Sequence, residues 1–274
     1  MLALMYCNYT MSGDSRVGWW DGRTMRRIAG ATDTDELVRR GLPLRCPEDS
    51  VVERGPVEFL PAVLRPSKIL CLLRSYRAHA AEQGHEPPPA PNFFAKLPSA
   101  LLGHGRDVLL PRELEGEVHH EGELAVVIGG RGRRVRSEEA IDLIAAFTVA
   151  DDVTARGLQK GDAARGWPWL RAKSPDTFLP LGPGLVPRSA VGDPGALDII
   201  LRVNGAERQR GNTRDLLWPI GDILSGISRW ITLEAGDVVL TGTPEGVGPI
   251  CPGDRVEVEI PGVGLLSHGV RMER

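Results

Sequence analysis

The chain has 274 residues, 42% of them hydrophobic and 25% charged, which suits one large soluble domain or a main domain with a small one. A net charge of −3 and a pI near 6.1 give no electrostatic case for nucleic acid or an anionic membrane as partner. Cys7, Cys46, Cys71 and Cys251 lie far apart with no CxxC, which argues for reduced thiols and against structural zinc.

The N-terminal stretch MLALMYCNYTMSGDSR has no basic segment and no long apolar run, and no other stretch approaches a membrane span. A cytoplasmic protein is therefore expected. Residues 1–63 alternate short apolar runs with turn signals such as Trp19-Trp20-Asp21-Gly22, and read as a small β-rich N-terminal unit. A second unit, 64–274, opens with the strand pattern LRPSKILCLL.

SYRAHAAEQG then predicts a short helix with Ser75 as N-cap and Gly84 just past its end. HEPPPAPN, residues 85–92, predicts a loop and makes the helix a candidate lid. ELAVVIGG reads as a buried strand, RSEEAIDLIAA as a helix capped by Ser137, and FTVADDV as a strand running into two acids. ALDIILRVNG ends in the hairpin signal Asn204-Gly205. WPIGDILSGISRWITL has helical spacing with Pro219 in its first turn, and DRVEVEI alternates as a half-exposed strand should. Many strands and few helices, not in βαβ order, predict an α+β fold.

Chemistry concentrates at the mouth of one strand. In extended chain, residues two apart share a face, so Glu121 and Glu123 project together, with His119 on the same side if the strand reaches it. Clustered carboxylates repel and need either water or a hard cation such as Mg²⁺, Mn²⁺ or Ca²⁺. Asp151 or Asp152, ending another strand, offers a third carboxylate. Alone, such acids are more often simply solvated.

His79 and Glu82 stand three apart on one helix face, the arrangement of a carboxylate-oriented general base or of a plain surface pair. His119 and His120 cannot easily share a metal, because neighbours on a strand point oppositely. His85, His104 and His268 have no assignable partner. Only four of the 33 basic residues are lysines, Lys68, Lys96, Lys160 and Lys173. Lys96 and Lys173 sit in loops that could close over a site. TGTPEGVG, residues 241–248, lacks the P-loop pattern and reads as a tight loop whose N–H groups can approach a small anion.

In this order SYRAHAAE, NFFAKLPSALLGHG, HHEGELAVVIGG, DDVTARGLQ, AKSPDTFLPLGP, VNGAERQRGNT, LEAGDVVLTGTPEGVG and GDRVEVEIPGVG resemble the fumarylacetoacetate hydrolase family, closest to its acylpyruvate hydrolase and oxaloacetate decarboxylase branch. The resemblance spans roughly residues 66–270 and implies a mixed β-roll catalytic domain, a homodimer and a small oxo-acid substrate. It implies Glu121, Glu123 and Asp152 as ligands of Mg²⁺ or Mn²⁺, and His79, Glu82 and Lys173 as the catalytic group. Arg74, Lys96, Arg156, Gln159 and Thr243 match positions expected to bind substrate.

The implied reaction cleaves a C–C bond of a 2-oxo acid or 1,3-dicarbonyl through an enolate, by hydrolysis or decarboxylation. An isomerase or hydratase of hydroxymuconate-type diacids in aromatic catabolism, and a silent small-acid-binding relative, are the other readings. Leu73-Arg74-Ser75-Tyr76 departs from the usual Gly-Leu-Asn-Tyr, and Gly157 stands where an acid is usual.

Overall fold

The computed structural model describes residues 4–43, 45–82, 84 and 86–274. His85, singled out above, lies outside the described residues. Among them, strands dominate, and no helix is long and apolar enough to cross a membrane. The fold is the expected α+β β-roll.

A 12-stranded sheet forms the backbone of the molecule. From its interior to one edge it runs Met5–Met11, Leu179–Pro187, Ile144–Asp151, Gly122–Ile128, Val238–Leu240, Ile69–Leu72 and Phe93–Lys96. A five-stranded sheet, with Asp198–Val203, Arg255–Ile260 and Gly264–Met272 at its centre, packs against it. Leu124 and Val126 enter the apolar cluster shared with Leu201, Val258 and Leu266, whereas Ala125 and Val127 enter a second cluster with Ile69, Cys71 and Leu240. A strand buried on both faces must be apolar at every position, which explains the unbroken run after Glu123.

Turn chemistry follows the sequence closely. Asn204 and Gly205 both have positive φ, 53° and 79°, and link Asp198–Val203 to Ala206–Asn212. Arg255–Ile260 alternates exposed or half-buried with buried residues, as its pattern predicts. Gly84 has φ 70°, the left-handed conformation that follows a helix end.

Both expected serine caps do other work. The Ser75 hydroxyl donates to the Thr241 carbonyl at 2.5 Å, and the helix Arg77–Glu82 instead starts from the Tyr76 carbonyl. Ser137 hydrogen-bonds Asp222 of the helix Ile220–Ser228, while Glu139 accepts from the Arg136 backbone N–H. The helix that Ser137 opens, Ser137–Asp142, also ends sooner than its pattern suggested, because Ile144 already pairs with Ile128.

The boundary expected between residues 63 and 64 falls before Ile69–Leu72. Met5–Met11 crosses it by pairing with Leu179–Pro187, Tyr6 opposite Leu185.

Candidate metal and active site

Ladder register builds the acidic cluster. Gly122 pairs with Asp151 and Glu123 with Ala150, so the two strands end side by side. Glu121 and Glu123 continue the face of Ala125 and Val127, and Asp152 continues the face of Ala146 and Ala150. Ligand oxygens of Glu121, Glu123 and Asp152 lie within 4.8 Å of one another, all buried. Asp151 points to the opposite face. There it accepts the Glu121 backbone N–H at 2.6 Å and meets His268 Nε2 at 2.8 Å. The two adjacent acids thus divide: one completes the cluster, the other pins the backbone that carries it.

Three cations surround two of these carboxylates. Lys173 Nζ sits 2.7 Å from both Glu121 and Asp152. Lys96 Nζ donates to Asp152 at 2.6 Å and to the Val153 carbonyl at 3.1 Å. Arg156 pairs with Glu121 and donates to Gln159 at 2.6 Å. Burial would raise the Glu121 pKa, but Lys173 and Arg156 outweigh it and hold the group well below the ordinary carboxylate range. Burial lowers that of Lys173, yet Asp152 and Glu121 drive it above the usual lysine value.

Glu123 is different. Among the described residues it forms no ion pair, and it accepts the Gly242 N–H at 2.6 Å. Burial first, then the charges of Asp152 and Glu121, push its pKa well above normal. Three convergent oxygen donors, one of them short of positive charge, suit a hard divalent cation. The residues present therefore fit Mg²⁺ or Mn²⁺.

A cavity of about 530 Å³ opens over the cluster. Arg74, His79, Glu82, Glu121, Glu123, Arg156, Gln159, Lys173 and Thr243 line it. Asp152 and Lys96 lie beneath, Lys96 at the end of Phe93–Lys96 with 2% exposure. Neither Lys96 nor Lys173 is a solvated loop residue, since each is locked onto carboxylates.

His79 stands 3.4 Å through Nδ1 from Glu82. The other Glu82 oxygen accepts the Gly246 N–H at 3.1 Å, which ties the short helix to the loop 241–248. Burial is the main influence on His79 and lowers its pKa, against the opposing pull of Glu121 and Glu82. The loop's N–H groups do meet carboxylates, those of Glu123 and Glu82. Thr243 donates to the Gly122 carbonyl at 3.0 Å and accepts from Gln209.

Several neighbours were not singled out as site residues. Phe94 and Trp169 line the cavity with rings 5.8 Å apart, and Lys173 lies 5.0 Å from the Phe94 ring centroid. The Phe93-Phe94 pair before Lys96 was the available signal. His119 also lines the cavity, bonded to Glu117 at 2.9 Å, while His120 turns to Gln209 at 3.2 Å on the other side of the chain. Gly157 packs on residues 115–116, where a Cβ would meet the Glu115 carbonyl at 2.7 Å. A side chain has no room there, which accounts for the departure at that position.

This fold and cavity define a member of an established enzyme family. The chain belongs to the fumarylacetoacetate hydrolase family: the model of the fumarylacetoacetate (FAA) hydrolase C-terminal domain matches residues 68–271. It is 41% identical over 244 residues to the bovine (Bos taurus) mitochondrial oxaloacetate tautomerase FAHD2A, covering 86% of this chain and 76% of that one. The crystal structure of 5-carboxymethyl-2-hydroxymuconate delta-isomerase from Mycobacterium smegmatis is similar with a TM-score of 0.80 and 33% identity, covering 98% of this chain and 100% of that chain. Fumarylpyruvate hydrolase from Pseudomonas aeruginosa, solved with Mn²⁺ and pyruvate, gives a TM-score of 0.72 and 35% identity, covering 84% of this chain and 100% of that chain.

Proposed function

We propose that this chain is a divalent-metal-dependent hydrolase or lyase that cleaves a C–C bond of a small 2-oxo acid or 1,3-dicarbonyl. The observation that carries the reading is the convergence of Glu121, Glu123 and Asp152 on one point under a cavity. The Mn²⁺ and pyruvate of the Pseudomonas relative support it. Bound by these three residues, a Mg²⁺ or Mn²⁺ ion supplies Lewis-acid polarisation of a chelating oxo acid.

The chain's own groups do the rest. Lys173 and Arg156 stand at Glu121 and offset negative charge as it develops on the substrate oxygens. His79, kept neutral by burial, accepts a proton from water or from carbon, and Glu82 fixes the ring through Nδ1. Phe94 and Trp169 give the cavity an apolar wall.

Tautomerisation is the second reading, and the tautomerase and isomerase relatives favour it. It needs the same enolate and the same proton carrier, which moves a proton between carbon and oxygen without cleaving a C–C bond. Acylpyruvates, oxaloacetate and muconate-type diacids, assayed with Mg²⁺ and Mn²⁺, separate the two. Pyruvate or CO₂ release marks cleavage, and enol–keto conversion alone marks tautomerisation. Undiminished turnover in both Glu123→Ala and His79→Ala would remove this site from the chemistry.

A further inference from the structure

Arg74 is the one cationic side chain at the cavity wall that is partly buried and has no anionic partner among the described residues. Arg156 and Lys173, on the same wall, are each bound to Glu121. Lys160 reaches the wall from an exposed position, where water solvates it. Arg74 forms no ion pair, and its buried Nε has no hydrogen-bond partner among the described residues. Burying a guanidinium donor unsatisfied is costly, so the position calls for an anion from outside the chain.

The backbone at Arg74 is held, not slack. Its φ is 50°, the left-handed region that non-glycine residues rarely adopt. The flanking residues fix it there: Leu73 N–H donates to Asn92 O at 2.8 Å and the Ser75 carbonyl accepts from Leu217 at 2.8 Å. The Ser75 hydroxyl adds its bond to Thr241, directly before the glycine that caps Glu123. A strained backbone conformation, fastened on both sides, presents an unpaired arginine to a cavity. Such strain persists where it positions a working group.

We infer that Arg74 binds a second carboxylate of the substrate, at the end remote from the three acidic ligands, and so selects dicarboxylic oxo acids over monocarboxylic ones. This rests on the proposed function, which places the 2-oxo acid end of the substrate at Glu121, Glu123 and Asp152. The guanidinium fork matches a carboxylate in two parallel hydrogen bonds, which a lysine in the same place does not. The cavity of about 530 Å³ is spacious for a three-carbon oxo acid and leaves room for a longer chain.

The test is a matched pair of non-hydrolysable ligands titrated calorimetrically into the full-length Mn²⁺-loaded protein. 2-Oxoadipate and 2-oxohexanoate share head and chain length and differ only in the tail carboxylate. Oxalate has no tail and reports the metal end alone. Wild-type protein is expected to bind 2-oxoadipate about ten- to a hundred-fold tighter than 2-oxohexanoate. Arg74→Asn, chosen because asparagine tolerates positive φ, brings that ratio close to one, and Arg74→Lys restores it in part.

A wild-type ratio near one, or a ratio that survives in Arg74→Asn, overturns the assignment while oxalate binding leaves the metal reading standing. Failure of all three ligands to bind the Mn²⁺-loaded wild type overturns the metal reading, and this inference falls with it.

Discussion

Lys173 bridges Glu121 and Asp152 with an ammonium where a divalent ion would draw on the same oxygens. Replacing it with Met removes positive charge from the cluster, so Lys173→Met is expected to bind Mn²⁺ more tightly, by titration calorimetry. The same variant should lose on the order of 10²-fold in turnover, because a buried cation no longer offsets developing charge. Tighter metal with slower chemistry separates a working lysine from one that only holds the site together.

His79 makes a prediction with a sign. In the role proposed for it the active form is the neutral base, and burial places its pKa below the usual histidine value of 6.5. Activity should therefore fall on the acid side with a midpoint below that value. Glu82 pulls the pKa upward, so Glu82→Gln moves the acid limb to still lower pH as well as lowering the rate. A limb that stays in place in a pH series of kcat/KM would detach Glu82 from His79.

The residues that could be read beforehand were those whose geometry is local. Glu121 and Glu123 share a face by strand alternation, and His79 meets Glu82 by helical spacing. The same alternation separates Asp151 from Asp152, but only the structure shows which face holds the cavity. His104 and His268 had no visible partner because Ser267 and Asp151 lie 163 and 117 residues away in sequence. An arginine without a counter-ion is likewise invisible until the whole cavity wall is assembled.

At the scale of elements, the turn carrying His104 joins three distant parts of the chain. His104 Nδ1 accepts the Ser267 N–H at 3.1 Å, and its ring meets Phe59 edge to face at 5.1 Å. A nitrogen that accepts must be unprotonated, in keeping with a pKa lowered from 6.5 to about 4 by burial and by Arg255.

The unfolded chain takes up this proton near pH 6.5, whereas the folded one resists until about 4. Stability is thus lost as pH falls through that window, by up to about 3 kcal/mol in total. Denaturant melts at pH 7 and pH 5 should show the loss, and His104→Gln should make it measurably smaller, the buried His79, His119 and His120 supplying the remainder. Element types were largely legible from period and turn chemistry. The caps were not: Ser75 and Ser137 have the right residue type, but tertiary acceptors, Thr241 and Asp222, claim their hydroxyls.

At the scale of the molecule, Met5–Met11 covers one side of Leu179–Pro187, a strand buried along its whole length. Tyr6, fully buried, anchors this junction with an edge contact to Trp19 at 4.7 Å. Removing residues 1–63 would bare that strand's hydrogen-bonding edge together with apolar side chains. The truncated chain is expected to melt at lower temperature and to self-associate with rising concentration in size-exclusion chromatography. A monodisperse fragment with unchanged melting would show the N-terminal strands to be dispensable cladding.

The three clustered acids sit at the ends of two central, fully paired strands, whereas Arg74 and the His79 helix sit on short connections at the rim. On the proposed function, grip and choice are therefore housed in parts of unequal permanence. A handful of exchanges in one brief segment would then redirect the protein toward a new reactant while the acidic cluster is inherited intact. That division gives one scaffold a route to diversify its clientele without refounding its chemistry.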